Sequence, residues 1–415
     1  MNEDQGGAQA RSTADAVARR SYGKLVAFLA ARTRKVDMAE DALAEAFAAA
    51  LTDWPQKGCP ANPEAWLLTV ARRKFLDVVR SQRREIASDE MESIAEGIVA
   101  AESSSKFPDQ RLGLMFACAH PAIDAAIRAP LMLQAVLGFD AARIASAFLI
   151  APVTMSQRLV RAKQKIRLAG IPLRIPEPEE LRDRLETVLD AIYAAFSEGW
   201  IDASGTDVAR RELAAEAIYL CRLVTELLPD EPEAMGLLAL MLFAESRRHA
   251  RRDAQGEYVP MAAQPVEQWN ASMIHEAEAL LLRASGYTLI GRYQLEAAIQ
   301  SAHVARRITA SPNWNEVVQL YDALLAFSPT PVVAINRALA IAQRDNPAAG
   351  FAALEEVAAD ARLTEYQPWW AARADLLART GKPEQARHAY DIAIGLERDE
   401  SVRRFLEKRQ TALAR

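Results

Sequence analysis

The side chains that could do chemistry in this sequence are hydrogen-bond donors and cations gathered in one segment, PVTMSQRLVRAKQKIR, which begins at Pro152. At a helical rotation of about 100° per residue, the apolar residues Met155, Leu159 and Ile166 share one side of this segment. The other side carries the donors and cations, which are Thr154, Gln157, Arg158, Arg161 and Lys165. Arginine and glutamine can read base edges through paired hydrogen bonds, and lysine suits phosphate oxygens. The pattern predicts a helix that reads the DNA major groove, although a solvated helix face would give the same spacing.

A shorter helix is expected just before this basic segment. Ile144, Ala145 and Phe148 supply its apolar contacts, and Asp140 is placed to cap its N-terminus. Pro152 suits the first position of the second helix after a short turn. Together the two helices have the outline of a helix-turn-helix.

A second basic face is predicted in AWLLTVARRKFLDVVRSQRR, where Leu67 and Phe75 belong to the apolar side. Trp66 lies at the start of this helix and could stack on an unpaired base, although tryptophan also suits a protein core. The basic side consists of Arg72, Arg73, Arg80, Arg83 and Arg84. Such a face could follow a nucleic-acid backbone.

An acid-rich helix is predicted in DMAEDALAEAFAAALTDW, where Leu43 and Phe47 belong to the apolar stripe. Acids favour the first turn of a helix and face water, which is one explanation of their position here. The other is an acidic docking surface for a basic partner. The acids concerned are Asp37, Glu40, Asp41 and Glu45.

The composition predicts an all-α fold, because strong helix formers dominate and alternating runs of Val, Ile and Thr are nearly absent. The 415 residues carry a formal net charge of -5, which by itself argues against a nucleic-acid binder. The charge is segregated, however, since residues 153–168 contain no acid. Local field, rather than net charge, governs contact with phosphates.

The sequence predicts neither an enzyme nor a cofactor. The five histidines lack metal-ligand spacing, the three cysteines form no CxxC pair, and no phosphate-binding glycine loop is present. No apolar segment suits a signal peptide or a membrane span. We therefore expect a cytoplasmic protein without a membrane partner.

Glycine and proline clusters suggest several domain boundaries, the clearest in GIPLRIPEPEELRDR. We predict a mobile tail over residues 1–20, a first helical domain over 21–86, and an acidic linker over 87–106 that is rich in serine near its C-terminal end. A helix-turn-helix domain over 107–174, a helical extension over 175–290 and tetratricopeptide-like repeats over 291–415 would follow.

The repeat prediction rests on two helix-pair patterns near the C-terminal end. One contains Trp370, Ala374, Leu377, Gly381, Ala386, Tyr390 and Ala393. A weaker copy upstream contains Ala334, Ala338, Ile341, Gly350, Leu354 and Val357. Small and aromatic residues at these spacings are typical of stacked helix pairs, so a short solenoid is expected.

The order of these segments resembles an RNA polymerase sigma factor of the extracytoplasmic-function group of the sigma-70 family. The motifs that carry the resemblance are DMAEDALAEAFAAAL, PEAWLLTVARRKFLDVVRSQRR, FACAHPAI and IASAFLIAPVTMSQRLVRAKQKIRLAGIP. AIYAAFSEGW, AMGLLALMLFAESRRHAR, GRYQLEAAIQSAHVA and PVVAINRALAIA continue it into a subgroup with a long C-terminal extension. AFSEGW departs from that subgroup at Ser197 and Trp200, where Asn and Tyr are expected.

The resemblance implies partners for each predicted surface. The acids Asp37, Glu40, Asp41 and Glu45 would bind core RNA polymerase, and Trp66 with the arginines Arg72, Arg73, Arg80, Arg83 and Arg84 would act on the -10 element of promoter DNA. Thr154, Gln157, Arg158, Arg161 and Lys165 would read the -35 element. The extension would regulate activity through a protein partner or an intramolecular contact, or would simply brace the fold.

Two other functions fit parts of the sequence. A stand-alone helix-turn-helix regulator with a helical sensor domain would bind an operator by itself, but it leaves the acid-rich helix and the first basic helix unexplained. A scaffold whose basic faces are merely solvated would bind neither DNA nor polymerase. Binding measurements with and without polymerase separate the three.

Overall fold

The computed structural model describes residues 11–14, 17, 21–23, 25–26, 28–30, 36–83, 110–148, 150–168, 176, 178–200, 208–309 and 311–414. The chain divides into two compact units, Met1–Glu198 and Gly199–Arg415. The predicted all-α fold is confirmed, since the described residues form helices and no strand, apart from a single isolated bridge between Arg252 and Tyr258. The predicted 87–106 linker lies outside the described residues.

The helices of the first unit carry the predicted interfaces. They are α1 (Val36–Lys57), α2 (Pro63–Arg83), α3 (Gln110–Cys118), α4 (Ala125–Ala135), α5 (Ala141–Ala147), α6 (Pro152–Leu168) and the greater part of α7 (Pro178–Trp200). Each helix buries one apolar side: Leu43 of α1, Leu67 of α2 and Phe116 of α3 are fully buried. The core of this unit therefore lies between the helix faces that hydrophobic periodicity selects.

The N-terminal residues differ from the sequence prediction. Residues 11–14 and 17, which we expected in a mobile tail over 1–20, are helical. Ala14 and Val17 are buried, as are Ser21 and Leu25. Spacings of three and four residues between them form an amphipathic stripe, which explains why this part of the expected tail packs instead of remaining free.

The first unit extends beyond residue 174, where the sequence predicts the end of the helix-turn-helix domain. Arg184 of α7 is buried and donates a hydrogen bond of 3.1 Å to the backbone oxygen of Phe116 in α3. It also pairs with Glu180 at 3.0 Å. A buried guanidinium needs such partners, so this contact fixes α7 to α3.

The second unit continues the helical chain through α8 (Val208–Leu227), α9 (Pro232–Glu245), α10 (Ala271–Ser285), α11 (Arg292–Val304), α12 (Arg306–Thr309) and α13 (Trp314–Phe327). α14 (Pro331–Arg344), α15 (Pro347–Glu355), α16 (Gln367–Arg379), α17 (Pro383–Leu396) and α18 (Glu400–Thr411) follow. Short 3-10 helices lie at Arg248–Arg251, Met261–Ala263, Val266–Gln268, Ala361–Leu363 and Ala412–Ala414. α9 is apolar on all sides and buried along most of its length, as expected of a central helix.

The helix pairs α14–α15 and α16–α17 occupy the two predicted repeat segments. Gly350 of α15 faces α14 so closely that an added Cβ would lie 2.3 Å from the Cβ of Ala342 and 2.8 Å from the carbonyl oxygen of Ala338. Gly381, with a φ of 76°, makes the turn between α16 and α17. Small residues therefore permit the close crossing, which is the physical basis of the repeat pattern.

No helix in the described ranges combines the length and apolar character needed to cross a bilayer.

Candidate nucleic-acid interface

α5 and α6 form the predicted helix pair, with four residues between them. The carboxylate of Asp140 accepts a hydrogen bond of 2.8 Å from the backbone N–H of Arg143, which confirms the predicted N-terminal cap of α5. α6 begins at Pro152 as expected. Met155 and Leu159 of α6 are buried, as are Ile144 and Ala145 of α5. These contacts fix which side of α6 faces outward.

The outward side of α6 presents the side chains that the sequence predicts for base and phosphate contacts. Thr154, Gln157, Arg158, Arg161 and Lys165 are all exposed. Two apolar residues that the sequence analysis passed over, Val153 and Val160, are also exposed, at 69% and 63%. α6 thus offers donors, cations and apolar groups together.

The second basic helix, α2, is described with its side chains through residue 77. Arg72 and Arg73 are exposed on it. The side chains of Arg80 and Arg83, and Arg84 as a whole, lie outside the described residues. Trp66 is half-buried, with its ring edge against Trp54 at a centroid distance of 5.5 Å. Its position therefore combines core packing with a partly accessible ring.

The predicted acidic surface lies on α1, and two of its acids form ion pairs with other helices. Glu45 pairs with Lys74 of α2 at 3.4 Å, and both side chains are largely exposed. Glu40 pairs with Lys163 of α6 at 2.6 Å. Asp41 is exposed. The side chain of Asp37 lies outside the described residues, although its backbone belongs to α1.

The Glu40–Lys163 pair joins the predicted polymerase-binding helix to the predicted DNA-reading helix. Its two side chains are 16% and 27% exposed, so water is largely displaced around them. Burial, with the charge of Glu40 adding to it, raises the pKa of the Cys118 thiol to about 12. Burial and the charges of Glu40 and Asp41 also raise the pKa of Tyr22 to about 12. Both groups are therefore neutral near pH 7 and add no charge around the pair.

Residues 21–23 pack close to the helices that surround the Glu40–Lys163 pair. A Cβ added at Gly23 would collide with the carbonyl oxygen of Val136. A Cβ added at Gly138 would lie 3.3 Å from the ring of Tyr22. Tyr22 also stacks with Phe47 of α1, with ring centroids 6.5 Å apart. The N-terminal helical residues thus contact both α1 and the end of α4.

Comparison with known proteins places these helices in a family. The profile of the family described as Sigma-70 region 2 matches residues 17–85, which include α1 and α2. An uncharacterized protein of Rhizobium meliloti is 36% identical over 387 residues, covering 92% of this chain and 91% of that protein. The chain belongs to the sigma-70 family. This membership implies a role in transcription initiation.

The sigma-70 family protein carries a C-terminal extension. A family of unknown function, DUF6596, matches residues 184–285, from α7 into α10. The α5–α6 helix pair lies between the two matched segments. No solved structure matches the chain.

Proposed function

We propose that this sigma-70 family protein binds core RNA polymerase and directs it to specific promoters. The observation that carries the proposal is the Sigma-70 region 2 match over residues 17–85, on the same compact unit as the exposed basic helix α6. Polymerase in bacteria acts in the cytoplasm, so that location follows. The protein needs no covalent chemistry of its own, because its task is to bind, position and separate strands.

In this proposal α6 lies in the major groove of the -35 element. Arg158 and Arg161 would pair with guanine edges and Gln157 with adenine, each good pair contributing about 1 to 3 kcal/mol of discrimination. Thr154 and Lys165 would hold the phosphates on either side. The exposed Val153 and Val160 would add contacts with thymine methyl groups.

α2 would act on the -10 element. Arg72 and Arg73, with Arg80, Arg83 and Arg84, would hold the backbone while an unpaired base is captured near Trp66. Extruding a base costs a few kcal/mol. Phosphate contacts and the binding energy of polymerase would offset that cost, so strand opening is expected only in the complex with polymerase.

α1 would supply the polymerase contact through Asp37, Glu40, Asp41 and Glu45. Complementary charge speeds encounter and fixes orientation more than it adds affinity. Glu40 is engaged with Lys163, so a basic surface of polymerase would replace Lys163 when the two proteins bind. In this proposal the free chain is a closed form that polymerase binding would open.

The extension, which includes the DUF6596 segment and the helix pairs α14–α17, would regulate this activity. A stack of helix pairs commonly presents a surface to a protein partner. Such a partner, or a contact of the extension with the polymerase- and DNA-binding helices, would shift the balance between closed and open forms. A structural role in bracing the fold remains the alternative.

The test is transcription by core polymerase with the full chain from a pool of random promoter sequences, followed by sequencing of the templates that yield transcripts. We expect an enriched upstream element that requires both proteins. Arg158→Gln and Arg161→Gln should each relax the preference at one upstream base pair by about 5- to 150-fold, while polymerase affinity is unchanged. Arg337→Gln in α14 is the matched control. Sequence-specific DNA binding by the free chain, of equal strength without polymerase, would instead establish a stand-alone regulator.

A further inference from the structure

The second unit contains a cavity of about 160 Å³ whose lining is dominated by guanidinium groups. Arg211 of α8, Arg248, Arg251 and Arg252 surround it, and His249, Tyr258 and Asp399 complete the wall. Neither the promoter-binding nor the polymerase-binding proposal uses these residues. Their concentration in one small cavity calls for a ligand of opposite charge.

The backbone around the 3-10 helix Arg248–Arg251 forces several arginines into the same space. This helix follows α9 after only two residues, and Arg252 then forms the isolated bridge with Tyr258. Arg251 donates a hydrogen bond of 3.1 Å to the carbonyl oxygen of Trp200. The guanidinium groups of Arg248 and Arg251 both lie over the Trp200 ring, at 4.9 and 4.6 Å from its centroid. The cations are thus held in place before any ligand arrives.

The single carboxylate in the lining is already engaged. Asp399 accepts a hydrogen bond of 2.7 Å from Arg252 and caps α18 through the backbone N–H of Ser401. Arg248 pairs with Glu245 at 2.7 Å. Within the described part of the chain, no carboxylate lies within ion-pair distance of Arg251 or Arg211. Asp399 attracts Arg251 from a longer distance, but neither Arg211 nor Arg251 forms a direct ion pair among the described residues, and the lining keeps an excess of positive charge.

The electrostatic environment of the cavity is correspondingly unfavourable for the charged arginines. Burial, reinforced by the neighbouring Arg248 and Arg252, lowers the pKa of Arg251. Burial, with Arg251 and Arg306 adding to it, lowers the pKa of the adjacent Arg247 to about 10. Both groups remain protonated near pH 7, so like charges are crowded in a poorly solvated place. A bound anion would relieve this crowding.

We infer that this cavity binds a small phosphate monoester. Arginine forks match phosphate oxygens through paired, charge-assisted hydrogen bonds, and Arg211 and Arg251 would supply them. The Tyr258 hydroxyl lies in the same lining and would donate a further hydrogen bond, as a phenol does near pH 7. A cavity of about 150 Å³ accommodates benzene, so the ligand here is a phosphoryl group on a carbon skeleton of only a few atoms.

The experiment is calorimetric titration of the full chain with 2-phosphoglycolate, inorganic phosphate and glycolate in low-salt buffer. We expect 2-phosphoglycolate to bind at least about tenfold more tightly than glycolate, because a dianionic phosphoryl group engages both arginine forks. Tighter binding of 2-phosphoglycolate than of inorganic phosphate would assign the site to an ester. Equal or tighter binding of inorganic phosphate would overturn the assignment to an ester.

Arg211→Glu is the decisive variant, since Arg211 is exposed and its loss should not disturb folding. It should weaken binding by about tenfold or more, whereas Arg387→Glu, at a half-buried position of α17 outside the cavity lining, should leave affinity within about twofold. Arg251→Lys keeps the charge but loses the fork, and should also weaken binding. Native affinity in Arg211→Glu, or binding only of a phosphoserine peptide and of no small phosphate, would refute the inference. None of these outcomes depends on polymerase or promoter binding.

Discussion

Lys163→Glu tests the closed form of the first unit. In the native chain the Nζ atom of Lys163 lies 2.6 Å from a carboxylate oxygen of Glu40, and both side chains are mostly shielded from water. The substitution replaces attraction by repulsion between two carboxylates on α6 and α1. Because Glu40 belongs to the predicted polymerase-binding surface, releasing it should make the Lys163→Glu variant bind polymerase more readily than the native chain does.

The size of the effect follows from the burial of the pair. A partly buried ion pair contributes about 1 to 2 kcal/mol, above the range for exposed pairs and below the penalty for breaking a fully buried one. Repulsion between the two carboxylates adds a similar amount, so the closed form loses about 2 to 3 kcal/mol. The apparent dissociation constant scales inversely with the open fraction of the protein. If the native chain is largely closed, Lys163→Glu should therefore bind polymerase at least about tenfold more tightly than the native chain does.

The assay is a titration of fluorescently labelled full chain with core polymerase in the absence of DNA. Lys165→Glu is the matched control, since it makes the same charge change two residues further along α6 at an exposed position. We expect Lys163→Glu to bind more tightly than both the native chain and Lys165→Glu. Equal affinity of the two variants would refute the closed form, because the effect would then come from net charge alone.

Two further predictions concern the second unit. Gly350→Ala should destabilise this unit by more than about 1 kcal/mol in denaturant unfolding, because the new methyl group collides with Ala342. The control is Gly395→Ala, at a helical glycine with open space around it, which should stabilise the unit by about 0.5 to 1 kcal/mol. A Gly350→Ala variant more stable than Gly395→Ala would contradict the packing of α14 on α15. Burial and the nearby Arg247 lower the pKa of His303, which packs edge-on against Trp314, to about 4. Between pH 6.5 and about 4, His303 therefore binds a proton in the unfolded chain but not in the folded one. The free energy of unfolding should fall by up to about 3 kcal/mol as the pH decreases through this window. His303→Asn should flatten that slope in unfolding curves measured across the window, and an unchanged slope would exclude His303 as its cause.

Local pattern was enough to predict the helix pair α5–α6. The positions of Met155 and Leu159 follow from helical periodicity, and Asp140 and Pro152 mark helix ends because their backbone and side-chain preferences act within a few residues. The all-α class follows from composition for the same reason. The roles of the exposed residues on α6 stay predictions, because exposure alone does not identify a ligand.

Features that depend on distant segments were not accessible from local pattern. Glu40 and Lys163 are 123 positions apart, and no periodicity relates them. The arginine-lined cavity combines residues from α8, the Arg248–Arg251 helix and the cap of α18, so only the folded chain brings them together. The expected tail was wrong over residues 11–14 and 17 because its apolar spacing, three residues from Ala14 to Val17, was too short a signal to recognise by itself.

In the proposed function, α1 binds core RNA polymerase. The most direct test is co-migration of the full chain with bacterial core polymerase on size exclusion, comparing native protein, Asp41→Arg and the control Thr52→Arg on the same helix. We expect a stable complex that Asp41→Arg weakens at least about tenfold and Thr52→Arg does not, since complementary charge at the docking surface is reversed only in the former. Failure of both the native chain and Lys163→Glu to co-migrate with polymerase would contradict it.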